Sequence, residues 1–280
     1  MKELKFEINN HINNILIQKN NNIIYKDKMK ILEFYSVLQE GINKNKDVFI
    51  SNNKLNNKEY FLINLMDITS IIENIKYNKG SLLYEYINLI VNNKEEYLNK
   101  IENIVDNLMQ YINSSVDFDI SWEFNNSLSK ILTSLTDINV NIKIKELNTI
   151  VNNLLDCVVK YNSNKIYIIF IDKGLININL NNDNLYIFNI NSNVENINDY
   201  NLLFLDNYYE FNLNVLLDNI KLNWNKEYND NYILDLLKDF INIYLKYDNI
   251  FISNNDIKQL KNIFYKLYNI QNNSNSIEIL

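Results

Sequence analysis

The sequence predicts an α/β protein whose strands come from both ends of the chain and whose middle is helical. Three observations carry this expectation. Ile166-Tyr167-Ile168-Ile169-Phe170-Ile171 is a continuous apolar run, and Leu185-Tyr186-Ile187-Phe188-Asn189-Ile190 and Leu202-Leu203-Phe204-Leu205 repeat the signal. Such runs mark strands buried on both faces, as at the centre of a parallel sheet. Near the N-terminus, Leu4-Lys5-Phe6-Glu7-Ile8 alternates with the period of a half-buried strand. From Asp67 onward, apolar residues recur three and four apart, the spacing of a buried helix face.

Taken in order, residues 22–26 read as a second strand. Met29, Leu32, Phe34, Tyr35 and Leu38 then fall at helical spacing between Asp27, placed as the N-cap, and Gly41, placed as the C-terminal stop. Val48-Phe49-Ile50 and residues 60–65 are short strands. Ile68, Ile71, Ile72 and Ile75 open a helical pattern that Leu82, Leu83, Tyr86, Ile87 and Ile90 continue. Tyr97, Ile101, Ile104, Val105, Leu108, Met109 and Ile112 carry a second helix. Two long antiparallel helices joined near Asn92-Asn93 fit this spacing. Residues 116–124 (VDFDISWEF) alternate like a strand, helical spacing returns at Leu128, Ile131, Leu132 and Leu135, and a further helix covers 143–161. Beyond Phe211 the pattern is helical again, at 213–220, 233–244 and 257–267. The expected organisation is an α/β head of residues 1–66 and 146–211, an inserted all-helical leg of 67–145, and a C-terminal helical extension of 212–280.

Composition removes most enzyme classes. The 280 residues are 47% hydrophobic and 22% charged, which suits one large or two smaller globular domains. No apolar run approaches the ~18 residues of a membrane span. The first residues, Met1-Lys2-Glu3-Leu4-Lys5, lack the apolar stretch of a secretory signal, so a cytoplasmic protein is expected. The chain contains no Pro, Ala or Arg, so every anion contact must be made by lysine point charges rather than guanidinium forks. One His (His11) and one Cys (Cys157) cannot build a Cys/His zinc site within one chain. Cys157, inside Leu154-Leu155-Asp156-Cys157-Val158-Val159, reads as a small core residue, and His11 as a surface or strand-end residue. The three glycines, Gly41, Gly80 and Gly174, are too far apart for a phosphate loop, a dinucleotide turn or a nucleophile elbow.

The segments SLTDINVNI (134–142), LLDCVVKYNSNK (154–165), IYIIFIDKGLI (166–176), LYIFNI and NLLFLDNYYEF (201–211), with FLINLMDITSIIENIKYNKGSLLYEYINLIV (61–91), give the layout a likeness to a known family. The chain resembles the accessory adaptation proteins of type II-A CRISPR systems, the Csn-two family of ring-forming DNA-end binders. The resemblance runs through residues 1–211 in order. It departs in the connection between the strands at 166 and 185, which is too short for the family's usual helix, and in the additional residues 212–280, which match the family's long variants.

This resemblance implies a non-enzymatic protein whose head is a degenerate relative of phosphate-loop ATPases, assembled as a homotetrameric ring. It implies a lysine-lined hole that takes double-stranded DNA ends, stabilisation by calcium, and action beside the CRISPR integrase pair and effector nuclease in spacer acquisition. After the strand at Ile23-Ile24-Tyr25, where an ATPase places its phosphate loop, the sequence reads Lys26-Asp27-Lys28-Met29 without a glycine. Lys143 and Lys145 fall where the family places its pore lysines, with Lys130 shortly before them; the alternative is an ordinary solvated helix face. Asp117, Asp119 and Glu123 alternate along VDFDISWEF, so their carboxylates would project from one side as hard calcium ligands. Asn125 stands where the family has a second acid.

A net charge of -7 opposes simple coating of DNA, which needs a concentrated positive surface. Ring symmetry resolves this by gathering a few lysines per subunit into one hole. The rival reading is a helical protein-interaction module that binds no nucleic acid.

Overall fold

A computed structural model describes residues 1–44, 46–92, 99–100, 103–104, 106–108, 110–111, 144–162, 164–191, 194–224, 229–244 and 254–268. Strands β1 (Lys2–Ile8) and β2 (His11–Ile17) pair antiparallel with Ile8 opposite His11, so Asn9 and Asn10 alone turn the chain. Their φ values are 51° and 63°, the left-handed pair that a two-residue hairpin needs and that Asn tolerates. β4 (Phe49–Ile50) and β5 (Asn53–Lys54) repeat the device at Ser51 and Asn52, with φ of 49° and 68°. The four strands make one sheet in the order β2-β1-β4-β5.

The second sheet is the mostly parallel one anticipated. It contains β3 (Asn20–Tyr25), β6 (Tyr60–Leu65), β7 (Ile166–Asp172), β8 (Leu185–Ile190), β9 (Leu202–Phe204) and β10 (Tyr208–Glu210), ordered β10-β9-β3-β8-β7-β6. β9, β3, β8 and β7 are parallel neighbours, and β10 returns antiparallel to β9. All of β8 and the inner five residues of β7 are buried, as the continuous apolar runs require. A buried amide at the start of β3 is fully used: Asn21 Oδ1 accepts from Gln18 N, and its Nδ2 donates to the Gln18 and Ile187 carbonyls.

Helix α1 (Lys28–Lys44) buries Ile31, Phe34, Val37, Leu38, Gly41 and Ile42 along one face. The expected stop at Gly41 is corrected: the helix passes through it to Lys44. A Cβ on Gly41 would lie 2.8 Å from Val48 Cβ and Cγ2, so this glycine lets the helix approach the following strand rather than end there.

Phe204 and its neighbour Leu203 point to opposite sides of the sheet, because successive strand residues alternate. Phe204 meets Phe34 of α1 at 5.0 Å between ring centroids. Leu203 joins Ile24, Val194, Ile197 and Leu205 in a cluster with Leu216, Ile220, Leu237, Phe240, Leu260 and Phe264. Those partners come from α5 (Leu213–Asn223), from α6 (Asp230–Asp239) with the π turn that continues it, and from α7 (Asn255–Leu267). The segment read as an extension therefore shares a core with the sheet. Its helices each start at an Asn cap, Asn212, Asn229 and Asn254, whose side-chain oxygen accepts a first-turn N–H.

The chain divides into two compact units, one of 1–62, 166–174 and 185–280, the other of 63–165 and 175–184. In the second lie α2 (Ile68–Ile75), α3 (Leu82–Asn92) and α4 (Leu147–Tyr161). Asp67 caps α2 through Ser70 N at 2.8 Å. Between α2 and α3, Ser81 Oγ donates to the Lys76 carbonyl and accepts from Tyr84 N, closing the turn that Gly80 enters at φ 88°. Glu85 and Lys165 form a largely buried ion pair at 2.7 Å. Helical residues recur between 99 and 111, where the second leg helix was expected. The strand-like stretch 116–124 and the helical pattern at 128–135 lie outside the described residues. Among the described residues no helix is long and apolar enough to cross a membrane.

Candidate functional site

In parallel α/β sheets, ligands gather at the carboxyl ends of the strands. Here β3, the strand between β8 and β9, leads into α1 through only Lys26 and Asp27. Lys26 N donates to the Phe204 carbonyl at 3.0 Å, which ties the exit of β3 to β9. Asp27 Oδ1 accepts from Met29 N at 2.8 Å, confirming the predicted cap. A phosphate would need successive backbone N–H groups pointing into open space at a helix start. At this helix start the protein's own carboxylate takes an N–H and presents negative charge instead.

Two further bonds lie among the described residues of this edge. Lys173 N donates to the Ile190 carbonyl, and Asp172 Oδ1 accepts from Gly174 N at 2.8 Å. Burial and the Asp172 charge push the Tyr25 phenol above its ordinary pKa, so it stays protonated as a hydrogen-bonding group at neutral pH.

At the opposite edge, the amino ends of β3 and β9 flank a polar groove of about 470 Å³ lined by residues including Gln18, Asn20, Tyr200, Asn201 and Glu210. Several of its polar groups serve the fold: Glu210 Oε1 accepts from Leu16 N at 2.9 Å, and Asn201 bonds to Asn22 N and to the Asn21 side chain.

Of the residues singled out from sequence, Lys145 is described. It is exposed, on the single 3₁₀ turn Ile144–Glu146 that opens α4. Lys130 and Lys143 of the expected lysine set, and Asp117, Asp119 and Glu123 of the expected calcium set, lie outside the described residues. Among the described residues no three His, Cys, Asp or Glu side chains converge as a metal cluster. His11 is exposed at the start of β2 and Cys157 is half-buried on α4.

One arrangement beside Lys145 was not anticipated. Asn148 and Asn152, one turn apart on α4, hold the extended chain between β7 and β8. Asn177 N donates to Asn148 Oδ1 at 3.1 Å, Asn179 N to Asn152 Oδ1 at 3.3 Å, and Asn152 Nδ2 to the Asn177 carbonyl at 2.9 Å. An Asn pair four apart is the only sequence signal, and a chain this rich in Asn hides it.

No family model matches the chain, and no curated protein matches it. Among solved structures the chain is similar to the crystal structure of Stu0660 of Streptococcus thermophilus, with a TM-score of 0.62 and 12% identity, covering 95% of this chain and 93% of that one. At this identity the likeness is one of fold: a mixed α/β protein with a mostly parallel central sheet and several helices.

Proposed function

We propose that the chain is a non-enzymatic, sequence-independent binder of double-stranded DNA ends that works as a homotetrameric ring in type II-A CRISPR spacer acquisition. The observation that carries this reading is the junction of β3 with α1. In this reading the junction stands at the sheet position where an ATPase carries its phosphate loop, and Asp27 caps the helix there. The head then serves as a scaffold rather than a nucleotide site. The sequence resemblance over 1–211 and the fold likeness along nearly the whole chain agree with it.

In this reading Lys130, Lys143 and Lys145 from each subunit face one hole, and the acidic exterior is compatible with DNA because symmetry concentrates the lysines. Asp117, Asp119 and Glu123 hold calcium, which stabilises the helical leg. The partners are the integrase pair and the effector nuclease, met at a free DNA end in the cytoplasm.

The test compares linear duplex with closed circular DNA of the same sequence. Linear DNA should bind, with an affinity that falls steeply with salt as condensed counterions are released; circles should be refused. Replacing Lys143 and Lys145 together by Glu should abolish binding while light scattering still reports a tetramer. A monomer, equal binding to circles, or unchanged affinity in the intact double variant would each overturn the reading. Calorimetry with magnesium-ATP should give no heat of binding, and micromolar affinity would contradict the scaffold role of the head.

A further inference from the structure

The first turn of α4 is entered from the 3₁₀ turn Ile144–Glu146 rather than from a side-chain cap: its N-cap residue, Glu146, makes no side-chain hydrogen bond to the helix. Leu147 and Val151 are buried beneath the turn, while Lys145 is exposed at its entrance. Besides its packing against α3 and α2, a lateral restraint at this end comes from the chain between β7 and β8. Asn148 and Asn152 bind the backbone of that segment through three bonds, two accepted and one donated. Asn152 Nδ2 also reaches back to the Asn148 carbonyl at 2.8 Å. Ile176, at the start of the segment, is buried and anchors it. The bonds themselves are exposed, so water competes for each, and the contact belongs to the class of local structure that opens without global unfolding.

We propose that Leu175–Asn184 is a strap which, through Asn148 and Asn152, fixes the first turn of α4 and thereby positions Lys145 for a DNA phosphate. This rests on the DNA-end reading of Lys145. Asn148 and Asn152 are positioning residues: they act on DNA only by way of the turn they secure. With the strap closed, Lys145 is presented from a fixed point. With it open, the turn loses that lateral restraint and the same charge is spread over more positions.

The experiment uses the full chain with Asn148→Ala and Asn152→Ala together. Alanine favours the helix, so α4 persists. Hydrogen exchange should speed at least tenfold at the Asn177 and Asn179 amides. Affinity for linear duplex should fall severalfold, and the slope of log affinity against log salt should become shallower, because fewer phosphates are neutralised per ring. A variant that merely lost active protein would keep the wild-type slope. Adding Lys145→Ala to the double variant should cost little more, since the lysine is already displaced. An open strap with unchanged affinity and slope in a wild type that binds DNA overturns the positioning role alone. A wild type that does not retain linear duplex overturns the DNA reading, and this inference with it. Unchanged exchange at Asn177 and Asn179 would show that the amides do not hold the strap.

Discussion

The two faces of the six-stranded sheet are covered by layers built in different ways. On one face helix α1, with Phe6 of β1, places Phe34 at the centre of an aromatic group, with ring centroids 5.0–5.8 Å from Phe6, Phe170, Phe188, Phe204 and Tyr208. On the other, three helices from the C-terminal segment bring mainly Ile and Leu, with Phe240 and Phe264 in edge contact at 5.2 Å. One face concentrates its packing in one side chain, while the other distributes it over many. The distributed face should tolerate single changes better and loss of the whole segment worse.

Deleting residues 212–280 would break the comparison most severely. Ile24, Val194, Ile197, Leu203 and Leu205 would return to water at about 1.5–3 kcal/mol each, a sum comparable to the ~5–15 kcal/mol that holds a typical domain together. We expect loss of the cooperative unfolding transition in circular dichroism. A truncated protein that melts like the full chain would show the C-terminal helices to be an appendage.

Next come the single aromatics. Phe34→Ala should cost about 3–5 kcal/mol in urea denaturation, at the upper end because five rings lose a partner. Phe264→Ala, with Phe240 and Tyr268 as its ring contacts, should lie at the lower end. The reverse order would contradict the concentrated-versus-distributed picture.

A smaller effect is expected at Gly41, where an added methyl meets Val48 at 2.8 Å. Gly41→Ala should destabilise by about 1–3 kcal/mol, and by less when measured in a Val48→Gly chain, which lacks both carbons that the methyl meets. Additive losses in the double variant would refute the close-approach explanation.

The smallest effect concerns the polar rim of the α1 face. Tyr208 Oη donates to Glu33 Oε2 at 2.9 Å, Lys30 Nζ bonds to the same oxygen at 3.0 Å, and Asn9 reaches the other. Burial raises the Glu33 carboxyl, but these hydrogen bonds and the Lys30 charge outweigh it and leave its pKa lowered. A carboxyl with a lowered folded pKa contributes stability above its unfolded value, about 4.3, and loses it as pH falls through the folded value. Tyr208→Phe should therefore cost about 1 kcal/mol at pH 7, and Glu33→Gln should flatten the acid limb of the stability profile. An unchanged acid limb would remove Glu33 from the account.

Much of this architecture is legible in the sequence wherever burial imposes a period. The apolar runs of β7 and β8 and the three-and-four spacing of α1 and α4 translate directly, because side chains buried on two faces or one leave few residue choices. β2 and its hairpin are not legible in the same way. HINNILI lacks clean alternation, and the turn uses Asn9-Asn10 rather than an Asn-Gly pair, in a chain where Asn marks nothing by itself. Gly41 was misleading because a glycine required for close helix-to-strand approach looks, in sequence, like one that ends a helix. The strap on Asn148 and Asn152 depends on partners 25 to 29 residues away, beyond any local pattern. Asp27 was readable since capping is local. Lys145 is exposed on the turn before α4, and no local pattern showed the hydrogen bonds of Asn148 and Asn152 beside it.

The position of β3 also bears on how the chain is assembled during synthesis. Both of its neighbours, β8 and β9, are drawn from the last third of the sequence, and Asn21 finds its Ile187 partner across 166 residues. Closing so long a loop is entropically slow, and topologies dominated by such pairs fold late. As the chain leaves the ribosome, the β1–β2 hairpin and α1 can form from neighbouring residues, but Asn20–Tyr25 has no native strand beside it until residues 185–204 emerge. The strand at the heart of the sheet is thus made early and paired last, and its apolar Ile23 and Ile24 must stay out of wrong pairings for most of the time of synthesis.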